Sequence, residues 1–137
     1  MGRDVEMTFD NLGIILDNVA DIPDKVEMES VRALARVVRT ALKDDIIPVT
    51  PMSPPDSGTS GNLRRSGKVR VERNNYKVDG IISFGNAEVN YASYVHEMPD
   101  STNWTTPGTG NKYVEKPLRI HSTKYMKMIA DWLRRSL

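Results

Sequence analysis

Hydrophobic and polar positions divide the chain into a helical front, a broken middle, an alternating stretch and a last helix. Leu12, Ile15, Leu16 and Val19 recur at helical spacing, which predicts a short amphipathic helix near residues 8–19. Gly13 inside it costs about 1 kcal/mol relative to alanine. Asp21-Ile22-Pro23-Asp24 reads as a break followed by a new start, because proline and acids suit a first helical turn. From Asp24 to about Asp45, Val31, Leu34, Ala35, Val38, Ala41 and Leu42 form one apolar stripe. Arg32, Arg36, Arg39 and Lys43 lie mostly off it and form a solvated face.

Pro48, Pro51, Pro54 and Pro55 then remove backbone donors and push their predecessors out of the helical region, so no regular element is expected over residues 47–62. Val69 and Val71 alternate with Lys68, Arg70 and Glu72, the pattern of a half-buried strand. Asn74-Asn75 marks a turn, and Tyr76, Val78, Ile82 and Phe84 continue the two-residue period. Residues 68–84 therefore read as a hairpin, with Gly80 as a possible bulge. After a second turn at Gly85-Asn86, Ala87, Val89 and Tyr91 predict a third strand, and Tyr91 to Glu97 a helical turn. Residues 98–111 are turn-rich. A final helix carries Leu118, His121, Tyr125, Ile129, Trp132 and Leu133 on one stripe. The expected fold class is α+β: N-terminal helices, an antiparallel sheet of about three to four strands, and a C-terminal helix packed on the sheet. The expected organisation is one domain over 1–137: a helical region 1–46, a Pro/Gly-rich loop 47–67, the sheet 68–97, a loop 98–116 and the helix 117–136.

Composition narrows the class of protein. At 137 residues with 39% hydrophobic and 27% charged side chains, the chain can bury a core without staples. The absence of cysteine excludes disulfides, thiolate chemistry and sulfur-ligated zinc. No apolar run approaches membrane-spanning length and no charged-then-apolar leader is visible, so a soluble protein with no membrane partner is expected. The net charge of +1 conceals an uneven distribution. Residues 1–31 hold two bases against eight acids, a net −6. Residues 64–73 hold five bases against Glu72, a net +4, and residues 112–137 hold seven against Glu115 and Asp131, a net +5. Opposite signs at the two ends can steer an ordered association.

Motifs for catalysis fail on spacing. A phosphate loop ending at Gly67-Lys68 needs glycine where Asn62 sits and Ser or Thr where Val69 sits. Ser60 lacks the second glycine of a nucleophile elbow, and Gly108-Thr109-Gly110 lacks a third glycine. His96-Glu97 and His121 are the acid–base candidates. His121, on the apolar stripe, reads as a core histidine satisfied by a neighbour. No enzyme, metal or cofactor is predicted. The strongest partner signal is the basic segment of Arg64, Arg65, Lys68, Arg70 and Arg73. Strand alternation puts Lys68 and Arg70 on one face, opposite Val69 and Val71. That face could meet phosphates, as in a nucleic-acid-binding module, or the acidic segment of a neighbouring copy, or it could be a charge-protected edge.

Three stretches occur in order: Gly61-Asn62-Leu63-Arg64-Arg65-Ser66-Gly67, Tyr91-Ala92-Ser93-Tyr94-Val95-His96-Glu97 and Lys112-Tyr113-Val114-Glu115-Lys116-Pro117-Leu118. Together, over about residues 30–137, they make the chain resemble a family of long-tailed bacteriophage (siphophage) minor capsid, neck, head–tail connector and tail-completion proteins. The Pro-rich detour from Thr50 to Thr59 departs from that family, whose members run more directly into the Gly-Asn-Leu-Arg motif. The resemblance implies a structural subunit of the virion neck, made in the host bacterial cytoplasm. Its copies would form a sixfold or twelvefold ring between adjacent connector and tail proteins, with DNA passing through the lumen. It implies no catalytic residue. The residues expected at a subunit or partner contact are Asn62, Leu63, Arg64, Arg65, Ser66, Lys68 and Arg70, with the two arginines free for the partner and Leu63 as the anchor of the loop.

Overall fold

The strongest apolar stripe of the chain becomes its longest helix, α1 (Asp24–Thr40). The computed structural model describes residues 5–9, 24–74 and 77–137. Leu34, Val38, Ala41 and Leu42 of the expected stripe are buried, and Ala33 and Val37 widen it, because i, i+3 and i+4 positions share a helix face. Beyond Thr40 the chain loosens into a π-helical turn, Ala41–Ile46, then tightens into a 3-10 turn, Ile47–Val49, with Pro48 in its first positions, where a missing N–H is tolerated, and ends at the extended Thr50. The Thr50 hydroxyl, fully buried, donates to the Ile46 carbonyl at 2.8 Å and satisfies one of the orphan acceptors.

The hairpin is β2 (Lys68–Asn74) and β3 (Lys77–Phe84), antiparallel, with Val69 opposite Ile82 and Val71 opposite Gly80. Strand β1 (Val5–Phe9) pairs antiparallel with the other side of β3, giving the order β1-β3-β2. The fold is thus mixed helix and antiparallel sheet, α+β. Residues 8 and 9 of the helix expected over 8–19 belong to β1, and residues 10–19 lie outside the described residues. No bulge interrupts β3 at Gly80, since the β2 ladder runs in continuous register through it and the β1 ladder stays in register down to it. The glycine has another cause. A Cβ there would lie 2.5 Å from Val38 Cγ1 and 3.4 Å from Leu34 Cδ2, so its hydrogen lets α1 settle onto β3.

The third strand expected at Ala87–Tyr91 does not form. Asn86 Oδ1 accepts the backbone N–H groups of Glu88 (2.9 Å) and Val89 (2.8 Å), and Asn86 N–H donates to the Val89 carbonyl. This side-chain turn takes the donors that a strand would have offered to a ladder. Val89 is instead buried in the core. Short helices follow: α2 (Asn62–Arg65) before the hairpin, then α3 (Ala92–His96), α4 (Glu115–Ile120) and α5 (Ser122–Ser136). The expected final helix is therefore two, parted at His121, whose φ of −102° and ψ of 15° leave the helical region. Among the described residues no helix is long and apolar enough to cross a membrane.

The C-terminal helix does not make its main contact with the sheet. It lies against α1. Its aromatic residues explain the preference, because each brings a polar tip that needs a partner once the ring is buried. Trp132 Nε1 donates to Glu29 of α1 at 2.9 Å, and the Arg36 guanidinium sits 5.7 Å from the Trp132 ring centre. The Tyr125 hydroxyl donates to Asp45 Oδ2 at 2.6 Å, while Lys124 Nζ holds the same oxygen at 2.7 Å and His121 Nε2 lies 3.9 Å from the other. Burial alone would raise the Asp45 carboxyl. The hydrogen bonds from Lys124 and Tyr125 and the nearby positive charges outweigh it and hold the group below its usual value.

Two consequences can be measured. Gly80→Ala should destabilise the fold by about 1–3 kcal/mol in denaturant unfolding, and adding Val38→Ala should cost less than the two single losses combined. A Gly80→Ala chain as stable as wild type would mean that α1 is free to back away. For Asp45, a carboxyl depressed in the folded state stabilises fully above its unfolded value of about 3.9, and the contribution fades as pH falls through and below that value. The stability gap between wild type and Asp45→Asn should therefore narrow on acidification, and a gap constant from about pH 6 to pH 2 would contradict this account.

Candidate assembly surface

The stretch Gly61–Gly67 is a tight turn whose backbone is fixed by what surrounds it. Gly61 takes a left-handed φ of +83° before α2, a conformation that favours glycine. A Cβ on Gly67 would lie 2.9 Å from the Phe84 ring and 3.1 Å from Leu42, so the chain can pass there only without a side chain. Leu63 is buried and anchors the turn. Ser66 is buried as well, its hydroxyl donating to the Leu63 carbonyl (2.6 Å) and accepting the Gly85 N–H (3.0 Å). Ser66 therefore supports the turn rather than offering a surface, and Leu63 anchors it from within.

The two arginines are not free. Arg64 Nε donates to the Thr50 carbonyl at 2.8 Å and Nη2 to the Pro48 carbonyl at 3.3 Å, which latches the turn to the end of the π/3-10 segment. The exposed Arg65 reaches back to the Ser60 carbonyl (3.2 Å) and to Asn62 Oδ1. Prolines in the detour explain the difference from expectation, because they leave carbonyls without helical partners and a guanidinium supplies several donors at once. The rest of the detour closes on itself through Ser53, Ser57 and Thr59, whose hydroxyls lie 2.9–3.1 Å apart.

The other two motif stretches meet this turn at Phe84. Tyr113 stands edge-on to Phe84, with ring centres 5.2 Å apart, and His96 stands edge-on to Tyr113 at 5.0 Å. The Tyr113 hydroxyl donates to the Ala92 carbonyl at 2.8 Å, and burial pushes its pKa well above the ordinary phenol range, so it stays protonated. The buried histidine is thus His96, whereas His121, expected in the core, is partly exposed beside Asp45. His96 Nδ1 lies 3.1 Å from Glu97 Oε1, and Nε2 accepts the Glu115 N–H at 3.5 Å. The Lys112 ammonium grips Glu97, and its hydrogen bond, followed by that of His96, lowers the Glu97 carboxyl below its usual value. Both ring nitrogens of His96 are occupied, Nδ1 by its neighbour Glu97 and Nε2 by Glu115, and the Nε2 contact together with the Lys112–Glu97 pair holds 91–97 to 112–118. Among the described residues no three potential ligands gather as a metal site.

What remains on the outside is the edge strand. Lys68 and Arg70 are exposed on one face of β2, while Val69 and Val71 on the other pack against the core. Arg70 Nε pairs with Glu72 at 2.9 Å, and Arg73 reaches Glu27 of α1 at 3.7 Å. Asn62 is half-buried beside the turn. Next to it opens a groove of about 250 Å³, walled by Met52, Leu63, Tyr91, Val95, Met98 and Trp104, with no charged side chain in its lining. Nearby on α3, Tyr94 is 72% exposed, so it is not a packing residue as its neighbours Tyr91 and Val95 are. The groove escaped sequence reasoning because its walls come from three separated loops. The methionine inside the Pro-rich detour was the one hint.

No protein-family model, curated protein or solved structure matches the chain.

The latch separates two neighbouring arginines of the same motif. Arg64→Ala should cost about 1–3 kcal/mol, since it strands acceptors beside a buried threonine, while Arg65→Ala should stay within about 0.5 kcal/mol of wild type. Urea unfolding of the two variants decides it, and equal losses would remove the latch.

Proposed function

We propose that this chain is a structural subunit of a bacteriophage virion neck, forming an oligomeric ring that joins or completes the head–tail connection. What supports the reading is the ordered set of three stretches, 61–67, 91–97 and 112–118, that resemble motifs of phage connector proteins. In this chain those stretches pack into one unit around Phe84 and Tyr113 and are not scattered surface residues. On this reading the protein works by docking. Its contact with a neighbour centres on exposed members of the basic segment, Arg65, Lys68 and Arg70, with the half-buried Asn62 beside them. Leu63, Arg64 and Ser66 act through the turn they hold.

A nucleic-acid-binding module remains the second reading of the same cations. The ion pairs weigh against it. Arg70 is paired with Glu72 and Arg73 with Glu27, while Arg64 is spent on carbonyls of its own loop. A segment with five bases thus presents fewer of them to phosphates than its composition suggests.

Lys68→Glu together with Arg70→Glu should leave the chain folded, by circular dichroism, and leave heads and tails unjoined when it replaces the wild-type gene in its phage. Infectious, tailed particles from that variant would sink the neck reading. Binding of the purified chain to duplex DNA that weakens steeply with salt would favour the second reading, and no binding at low salt would remove it.

A further inference from the structure

We infer that the free edge of β2 is a self-complementary pairing site for β2 of a second copy of this chain. Among the described residues β2 pairs with β3 alone, which leaves its other edge at the border of the sheet. Edge strands are ordinarily protected by brevity, proline or a bulge. This one has seven residues, no proline, and a continuous register from Lys68 opposite Ser83 to Asn74 opposite Lys77. Charge is the protection it keeps, and the order of its charges selects a partner.

Two copies of β2 related by a two-fold axis run antiparallel. The faces match only if a residue sits on the axis, because a shift of one turns every side chain to the wrong face. With Arg70 on the axis, two guanidinium groups oppose each other. With Glu72 on the axis, two carboxylates do. With Val71 on the axis, Arg70 of each copy lies opposite Glu72 of the other, and Val71 meets Val71 on the core-facing side. That register makes two opposite-charge cross-strand pairs and no like-charge pair directly opposed. The Arg70–Glu72 pair within one strand, 2.9 Å apart, places both side chains on the exposed face of β2. Pairing would extend the sheet across the axis, with both α1 helices on the same side. The contact is small for a protein interface, so dimerisation should depend on concentration. The inference is independent of the neck reading: it is measured on the isolated chain, and its failure leaves that reading standing.

The test is a charge swap followed by sedimentation or light scattering over a concentration series. Wild type should show a monomer–dimer equilibrium. Arg70→Glu and, separately, Glu72→Arg should each weaken it by about tenfold or more, because each sets like charges opposite one another twice. Arg70→Glu with Glu72→Arg in the same chain should restore it. All three variants are exposed changes, and circular dichroism checks that each stays folded. A wild type that is monomeric at every concentration overturns the proposal. So does a dimer indifferent to the single changes, or a double variant that stays as weak as the singles.

Discussion

The edge-to-face contact between Phe84 and Tyr113 is the constraint on which the rest of this molecule depends. Phe84 ends β3, fills the space that Gly67 leaves open, and presents its ring to Tyr113. Tyr113 in turn carries His96 on its other side and ties its hydroxyl to the start of α3. Segments separated by dozens of residues thereby share one buried point. Aromatic pairs of this geometry contribute about 0.5–1.5 kcal/mol beyond the area they bury. Here the larger effect is positional: moving either ring would release the turn at 61–67, the helix at 92–96 and the entry to α4 together.

This explains what could be read in the chain and what could not. Alternation in 68–84 and the stripe of 31–42 were legible because each buries one face against the same core, and periodicity reports burial. Gly80 was visible as an exception but not as a cause, since only the packing of Val38 shows that the glycine answers to α1 and not to a bulge. Ala87–Tyr91 looked like a strand because Val89 is indeed buried, yet Asn86 captures its backbone. Histidine roles were exchanged for a similar reason. His121 shares the apolar stripe by spacing, but the break between α4 and α5 turns it toward Asp45, whereas His96 sits on a five-residue helix too short to show any period. At the candidate surface, Lys68 and Arg70 followed from strand alternation. The retraction of Arg64 could not, because it depends on carbonyls that prolines expose fourteen and sixteen positions earlier.

The charge asymmetry of the chain also changes meaning in three dimensions. Acids from the first part of the chain and bases from later segments meet within one molecule, Glu27 with Arg73 and Asp45 with Lys124, while Glu29 accepts the neutral indole N–H of Trp132. Some of the field that opposite ends would project is thus spent on holding α1 against the hairpin and α5. Exposed pairs such as Glu27–Arg73 add little to stability. Asp45 differs, being largely shielded and served by two donors, Lys124 and Tyr125, so it fixes where α5 begins.

Cations at the surface must therefore be judged one at a time and not by segment. Arg64 is internal in function although it lies in the most basic run of the chain. Arg70 stands outside with a carboxylate two residues away on the same face, an arrangement that a strand can present to its own copy in reverse order. A run of bases alone would repel another such run, whereas a base and an acid flanking a valine are their own complement when the strand is turned around. The sheet edge is in this sense a patterned surface rather than merely a charged one, and patterning, more than net charge, determines which neighbour it can accept.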